Sequence, residues 1–214
     1  MNNHLTIIFD FDGTIADTFH KIISISNRLA KELNFKTILP EEINDLKNKS
    51  AVEIIKHLDI PLLKVPKLAS KAKKELHKEI ESIHLIEGFH EMIMELKKKG
   101  NNLGILTSNS SNNVHKFLKT HKLDCFDFVT SSHRIWTKYK GLHKLIKEFK
   151  LDFKKVIYVG DETRDIEAAQ KAGIQSIAVT WGYNSPKALK KCRPDYTVNH
   201  PQEILEIVKK LTKS

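Results

Sequence analysis

The sequence predicts a doubly wound α/β fold: a Rossmann-like parallel sheet core with an inserted all-helical, four-helix cap domain. Three observations lead there. From Gly88 onward, short and wholly apolar runs alternate with stretches of helical periodicity. That is the pattern of parallel strands buried on both faces by crossover helices. One further apolar run, Leu5–Phe9, stands apart near the N-terminus. Between it and the alternating part, from Asp17 to about Leu85, helix follows helix with no convincing strand. Residues 1–16 and 86–214 are therefore expected to form the core, and 17–85 the cap.

In chain order, Leu5–Phe9 reads as a buried strand. Ile22, Ile25, Leu29 and Leu33 recur at helical spacing. Pro40 opens a second helix carrying Ile43 and Leu46, at a position where proline is tolerated. Ser50 and Glu53 make a capping box ahead of Ile54, Ile55 and Leu58. Pro66 starts a longer helix with Leu68, Ala72, Leu76 and Ile80 along one side. A helix with Phe89, Met92, Ile93 and Leu96 stops at Gly100. The strand LGILTS follows, then a helix around Val114–Leu118 and a strand at FDFVTSS. A helix with Leu142, Leu145, Ile146 and Phe149 leads to the strand VIYVGD. A helix over Ile166–Lys171 ends at Gly173 before the strand IQSIAVT. DYTV adds a short last strand ahead of a final helix near Ile204–Leu211.

The bulk numbers exclude several classes. The chain has 214 residues and a formal net charge of +10. The positive charge is almost all lysine, and Arg28, Arg134, Arg164 and Arg193 do not cluster. Runs such as KAKKELHKE sit on amphipathic patterns, which marks solvated helix faces and no nucleic-acid partner. The same field would help draw in an anionic substrate. No run approaches the roughly 18 apolar residues of a membrane span. The N-terminal apolar run is short and meets acids instead of a cleavage site, so a cytoplasmic protein is expected. Cys125 and Cys192 form no disulfide framework and read as free thiols. A monomer and a homodimer are equally compatible.

The first strand ends in IIFDFDGT, with Asp10 and Asp12 two residues apart. In open parallel sheets, ligands bind beyond the carboxyl ends of the strands. The second strand ends in Thr107-Ser108-Asn109, and the fourth in Gly160-Asp161-Glu162 with Asp165 four residues after Asp161. All meet at one edge. Side chains alternate along an extended segment, so Asp10 and Asp12 point roughly the same way. Carboxylates crowded there with Asp161 and Asp165 repel unless a cation neutralises them. An oxygen-only donor set suits a hard ion such as Mg²⁺, which shares its shell with phosphate. Gly13 allows a tight turn that exposes amides. Those amides and the Thr107 hydroxyl can hold phosphate oxygens. A lysine from WTKYKG, Lys138 or Lys140, completes the charge balance.

Taken together, DFDGT at Asp10–Thr14, ILTSN at Ile105–Asn109, the lysine region WTKYKGLHKLI and VGDETRDIEAAQKAGI at Val159–Ile174 resemble the haloacid dehalogenase superfamily. Within it the chain is similar to the phosphoglycolate phosphatase-like branch, whose helical cap follows the first strand. The tail VTWGYNSPKAL…RPDYTVNHPQEIL follows the same branch. The resemblance implies a Mg²⁺-dependent phosphatase acting on a small phosphorylated metabolite. Asp10 would be the nucleophile, forming an aspartyl-phosphate, and Asp12 the general acid and base. Mg²⁺ would be held by Asp10, the Asp12 carbonyl and Asp161, with Asp165 a ligand through water or a supporting anchor. Gly13, Thr14, Thr107, Ser108 and Asn109 would surround the phosphoryl group. The lysine would bridge phosphate and nucleophile. Spacing to the fourth motif and the K-x-K pattern favour Lys138; the stretch lacks the lysine-proline pair of many relatives, so Lys140 stays open. Lys47, Lys49 and Ser50 in the cap are candidates to face the leaving group. A phosphomutase would use the same nucleophile, and a non-catalytic binding protein could share the scaffold.

Overall fold

The computed structural model describes residues 4–131 and 138–213. Six strands form one fully parallel sheet: β1 (Thr6–Phe9), β2 (Asn102–Thr107), β3 (Phe128–Ser131), β4 (Val156–Gly160), β5 (Gln175–Val179) and β6 (Tyr196–Val198). Their order is β3-β2-β1-β4-β5-β6. Ile7 pairs with Leu103 on one side and Ile157 on the other. The chain order reverses between β1 and β4, so a crevice opens at their carboxyl ends.

Strand alternation divides the core. Ile7, Phe9, Ile157 and Val159 face one side, where α5 (Phe89–Lys98), α6 (Ser111–Thr120) and α10 (Pro201–Leu211) cover them. Ile8 and Tyr158 face the other side, against α7 (Lys138–Glu148) and α8 (Thr163–Ala172). The short α9 (Pro186–Lys191) adds Leu189 beside Ile166 and Ala178. Each central strand is buried on both faces, which is why these segments read as unbroken apolar runs.

Four α-helices lie between β1 and α5: α1 (Phe19–Leu33), α2 (Ile43–Leu46), α3 (Ala51–His57) and α4 (Val65–Glu79). Ile25 and Leu29 of α1 and Leu76 of α4 belong to the same buried cluster as β1. The outgoing and returning chains are tied together. Asp17 N–H donates to the His84 carbonyl and Ile86 N–H to the Ile15 carbonyl, each at 2.9 Å. Among the described residues, no helix is long and apolar enough to cross a membrane.

Two local readings change. Pro40 begins a 3₁₀ turn, Pro40–Glu42, and α2 starts only at Ile43. The Glu42 carboxylate accepts the Leu39 N–H at 3.0 Å and closes that tighter turn. The helix α9, capped by the Ser185 hydroxyl, was not anticipated from SPKAL. Ser132 of the expected third strand, and Trp136 and Thr137 of the lysine region, lie outside the described residues.

Candidate active site

Asp10 directly follows β1, and its N–H donates to the Val159 carbonyl at 2.8 Å. The ladder with β4 therefore runs one residue further and fixes the Asp10 backbone at the sheet edge. Its side chain is 2% exposed. Lys138, the first residue of α7, brings Nζ to 2.6 Å from Asp10 Oδ2. The same ammonium bonds Asp165 Oδ1. Asp165 sits in the first turn of α8, where its Oδ2 accepts the Glu162 N–H at 3.0 Å. Asp161 follows β4. It accepts the Thr14 hydroxyl at 2.7 Å and the Tyr183 N–H at 2.8 Å.

Asp10, Asp161 and Asp165 each offer an oxygen within 4.8 Å of the others, and all three are buried. Buried polar atoms are nearly always hydrogen-bonded. Among the described residues, Asp10 Oδ1 is buried with no hydrogen-bond partner. Burial first, and then the charges of Glu162, Asp165 and Asp10, hold the Asp161 carboxyl well above its ordinary range. Burial also raises Asp165, with Lys138 opposing, to about 6. Lys138 stays protonated: burial works against its charge, but Asp10 and Asp165 outweigh it and raise its pKa. Crowded carboxyl groups whose ionisation is disfavoured in the folded protein are the groups a cation would stabilise. An all-oxygen group with an unfilled acceptor fits a hard divalent cation.

Three glycines give the carboxylates room. A side chain at Gly13, whose φ is +74°, would overlap Asp161 and the Tyr183 ring, and one at Gly182 would overlap Asp161. A side chain at Gly160 would overlap Asp165.

Asp12 is held from the end of β2. Asn109 Nδ2 donates to both of its oxygens, at 3.1 and 3.0 Å. Desolvation first, then the charge of Asp10, pushes its pKa up to about 7, against hydrogen bonds from Asn109 and Thr18. A carboxyl in that range can give and take a proton near neutrality. Asn109 N–H in turn donates to Thr107 Oγ1 at 3.0 Å, so the end of β2 forms a compact turn around Asp12.

The structure thus brings together Asp10, Asp12, Thr107, Asn109, Lys138, Asp161 and Asp165. It gives the other expected residues different surroundings. The Thr14 hydroxyl donates to Asp161, and the Gly13 N–H donates to the Ala16 carbonyl at 2.9 Å. Lys140 is exposed, with Nζ 6.0 Å from the Tyr139 ring centre, because two residues along a helix turn the side chain away from its neighbour's face. Ser108 is half-buried beside Thr107. Lys47 Nζ donates to the Gly182 carbonyl at 3.0 Å and lies 4.2 Å from the Phe19 ring centre. Ser50 is the N-cap of α3.

Sequence reading gave the residues of the loop after β5 no role in the site. Asn184 accepts the Thr163 N–H at 2.9 Å and donates to the carbonyls of Lys47 and Lys49, both at 3.0 Å. It fastens the loop between α2 and α3 to the sheet edge. Tyr183, through its N–H, orients Asp161, and its hydroxyl lies 3.0 Å from that of Thr18. The signal was available: WGYNSP follows a buried strand at the same edge as the other three motifs.

The haloacid dehalogenase-like hydrolase profile matches residues 7–179, from β1 through β5. The chain belongs to the haloacid dehalogenase-like hydrolases. This hydrolase is 31% identical over 208 residues to a phosphoglycolate phosphatase of Synechococcus elongatus, covering 97% of this chain and 98% of that one. It is 26% identical over 211 residues to the pyrophosphatase PpaX of Bacillus mycoides, covering 96% and 97%. A Clostridium acetobutylicum protein described as a predicted phosphatase shares the fold, with a TM-score of 0.82 at 21% identity over 99% of each chain. A haloacid dehalogenase-like hydrolase of Streptococcus pneumoniae has a TM-score of 0.76 at 22% identity, covering 97% of this chain and 99% of that one. The enzyme class expected from the motifs, a phosphoric monoester hydrolase in the phosphoglycolate phosphatase-like branch, stands with these relatives.

Proposed function

We propose that this hydrolase releases phosphate from a small phosphorylated metabolite through an aspartyl-phosphate on Asp10. The observation that carries the reading is the Asp10 carboxylate. One oxygen is held by Lys138, and the other is buried beside Asp161 and Asp165 with no partner among the described residues. An Asp10 oxygen attacks phosphorus in line as the bond to the leaving oxygen breaks. Asp12 protonates that oxygen, then takes a proton from the water that hydrolyses the aspartyl-phosphate. Lys138 neutralises charge shared between the nucleophile and the phosphoryl oxygens. The Thr107 hydroxyl, which accepts from Asn109 N–H, keeps its own proton to donate to a phosphoryl oxygen.

Asp10, Asp161 and Asp165 are the side chains that would hold Mg²⁺ directly or through water. When bound, Mg²⁺ shields the anionic phosphate from the anionic nucleophile. Residues 17–85 would act as a cap that excludes water, with Asn184 fastening its 47–49 loop. The Synechococcus relative makes phosphoglycolate the first substrate to try, and the Bacillus relative adds pyrophosphate. The test is phosphate release from p-nitrophenyl phosphate, phosphoglycolate, pyrophosphate and sugar phosphates, with Mg²⁺ and with EDTA. Metal-dependent release that Asp10→Asn lacks supports the reading. Release that survives Asp10→Asn overturns it.

A further inference from the structure

A chain of side-chain hydrogen bonds crosses from the helical insertion to Asp12. On α4, His77 Nδ1 lies 2.7 Å from Asn113 Oδ1 on α6. Asn113 Nδ2 donates to Asn109 Oδ1 at 2.9 Å and to the Lys73 carbonyl of α4 at 3.1 Å. Asn109 Nδ2 donates to the Asp12 carboxylate.

The donor directions follow from the carboxylate end. Asp12 accepts, so Asn109 must present its amide nitrogen there and its oxygen backward. That oxygen receives the Ser110 N–H at 2.8 Å and the Asn113 amide. Asn113 therefore has only its oxygen left for His77, and His77 Nδ1 carries the proton. Every donor in the chain points toward Asp12, an arrangement in which each bond polarises the next. Asn113 is 1% exposed, and its own N–H is held by Ser110 Oγ at 3.2 Å. It has no freedom to repack if either neighbour leaves.

We propose that His77 and Asn113 are positioning residues that hold Asn109, and through it Asp12, in the orientation needed for proton transfer. They tie that orientation to the docking of α4 on α6. Neither touches the reacting atoms. The inference rests on the reading of Asp12 as the acid and base of the proposed reaction. It adds that the insertion helix, far along the chain from Asp12, takes part in setting its geometry.

The test compares wild type, His77→Ala and His77→Asn. An asparagine amide can place an N–H near the Nδ1 position; alanine cannot. His77 is exposed, so its replacement leaves no core void. With p-nitrophenyl phosphate and Mg²⁺, His77→Ala should lower kcat about tenfold, the loss typical of one modest hydrogen bond. KM should move less than about twofold, and His77→Asn should regain most of kcat. In NMR spectra of the same full-length proteins, the Asn109 and Asn113 side-chain amide protons should exchange faster in His77→Ala and return toward wild type in His77→Asn. Unchanged Asn109 amide exchange in His77→Ala overturns the proposal whatever the activity does. Equal losses of kcat in both variants overturn it too, because bulk and not the hydrogen bond would then matter. If both variants unfold, the histidine is structural and the proposal falls. Absence of turnover in wild type, with the amide effect intact, would defeat the proposed reaction while leaving the relay standing.

Discussion

The Lys138 ammonium lies 2.6 Å from Asp10 Oδ2 and also bonds Asp165, so one cation joins carboxylates that follow two different strands. Lys138 is 4% exposed and Asp165 is fully buried. Removing one member of a buried charged group leaves the others uncompensated, at a cost of about 3–5 kcal/mol. Lys138→Met should lose that much stability in urea titrations without Mg²⁺. Its turnover should fall at least about 100-fold, because the positioned charge at the phosphoryl group is gone. Lys140→Ala, on the exposed side of the same helix, should change kcat/KM less than twofold.

Asp10→Asn is nearly isosteric and removes the attacking charge. Steady-state assays should find no turnover, while circular dichroism finds the fold intact. The variant should keep its other contacts, since the Asp10 N–H bond to Val159 belongs to the backbone.

The raised pKa of Asp161 and the value of about 6 for Asp165 make stability depend on pH. The folded state holds their protons more tightly than the unfolded chain. Without a divalent cation, stability should therefore fall as pH rises from about 4 through 6 and beyond. A cation binds the ionised forms and reverses that trend. Thermal melts should show a larger Tm gain from Mg²⁺ at pH 8 than at pH 5. Equal gains at both values would contradict a carboxylate site.

Gly182→Ala should act through the same site. Its new methyl would overlap the Asp161 carboxylate. Asp161 must shift, so the Mg²⁺ concentration giving half of the Tm gain should rise at least about tenfold. Gly173→Ala serves as a control for backbone strain alone: Gly173 has φ +69° but no atom within 4 Å of the added methyl. It should destabilise the fold by about 1 kcal/mol and leave the Mg²⁺ response unchanged.

Asn184→Ala removes the side-chain bonds to Thr163 N–H and to the carbonyls of Lys47 and Lys49. The expected loss is about 1–3 kcal/mol, since buried groups are left unpaired. Hydrogen exchange should quicken at the start of α8, where the Thr163 N–H loses its acceptor. Ser185 still donates its N–H to Lys47 at 2.8 Å, so the 47–50 loop should loosen without detaching.

The strands of the sheet were legible because their burial on both faces leaves unbroken apolar runs such as IIF and VIYVG. A single aspartate after a strand is often an ordinary turn former, so the acids at the strand ends were legible only from the order and spacing of the motifs together. Lys138 could be favoured over Lys140 from spacing, but only the helical rotation of α7 separates them, one facing Asp10 and the other solvent. Thr14 and Gly13 illustrate the opposite limit. Both sit inside the most specific motif, yet their hydrogen-bonding groups are taken by Asp161 and Ala16. Residue type announces what a group can donate, not which acceptor reaches it first.

By itself the sequence determined the alternation of strand and helix, the insertion after β1 and the residue types gathered at one edge. These follow from local periodicity and from where each motif stands relative to a strand end. The tertiary structure decided the partners: Asp10 with Lys138, Asp161 between Gly13 and Gly182, Asn184 on the 47–49 loop, and His77 reaching Asp12 through Asn113 and Asn109. Apart from the short step from Asn113 to Asn109, those contacts join residues from about 20 to about 150 positions apart. A hydrogen bond a few ångströms long depends on how whole elements pack, and no local pattern in the chain carries that information.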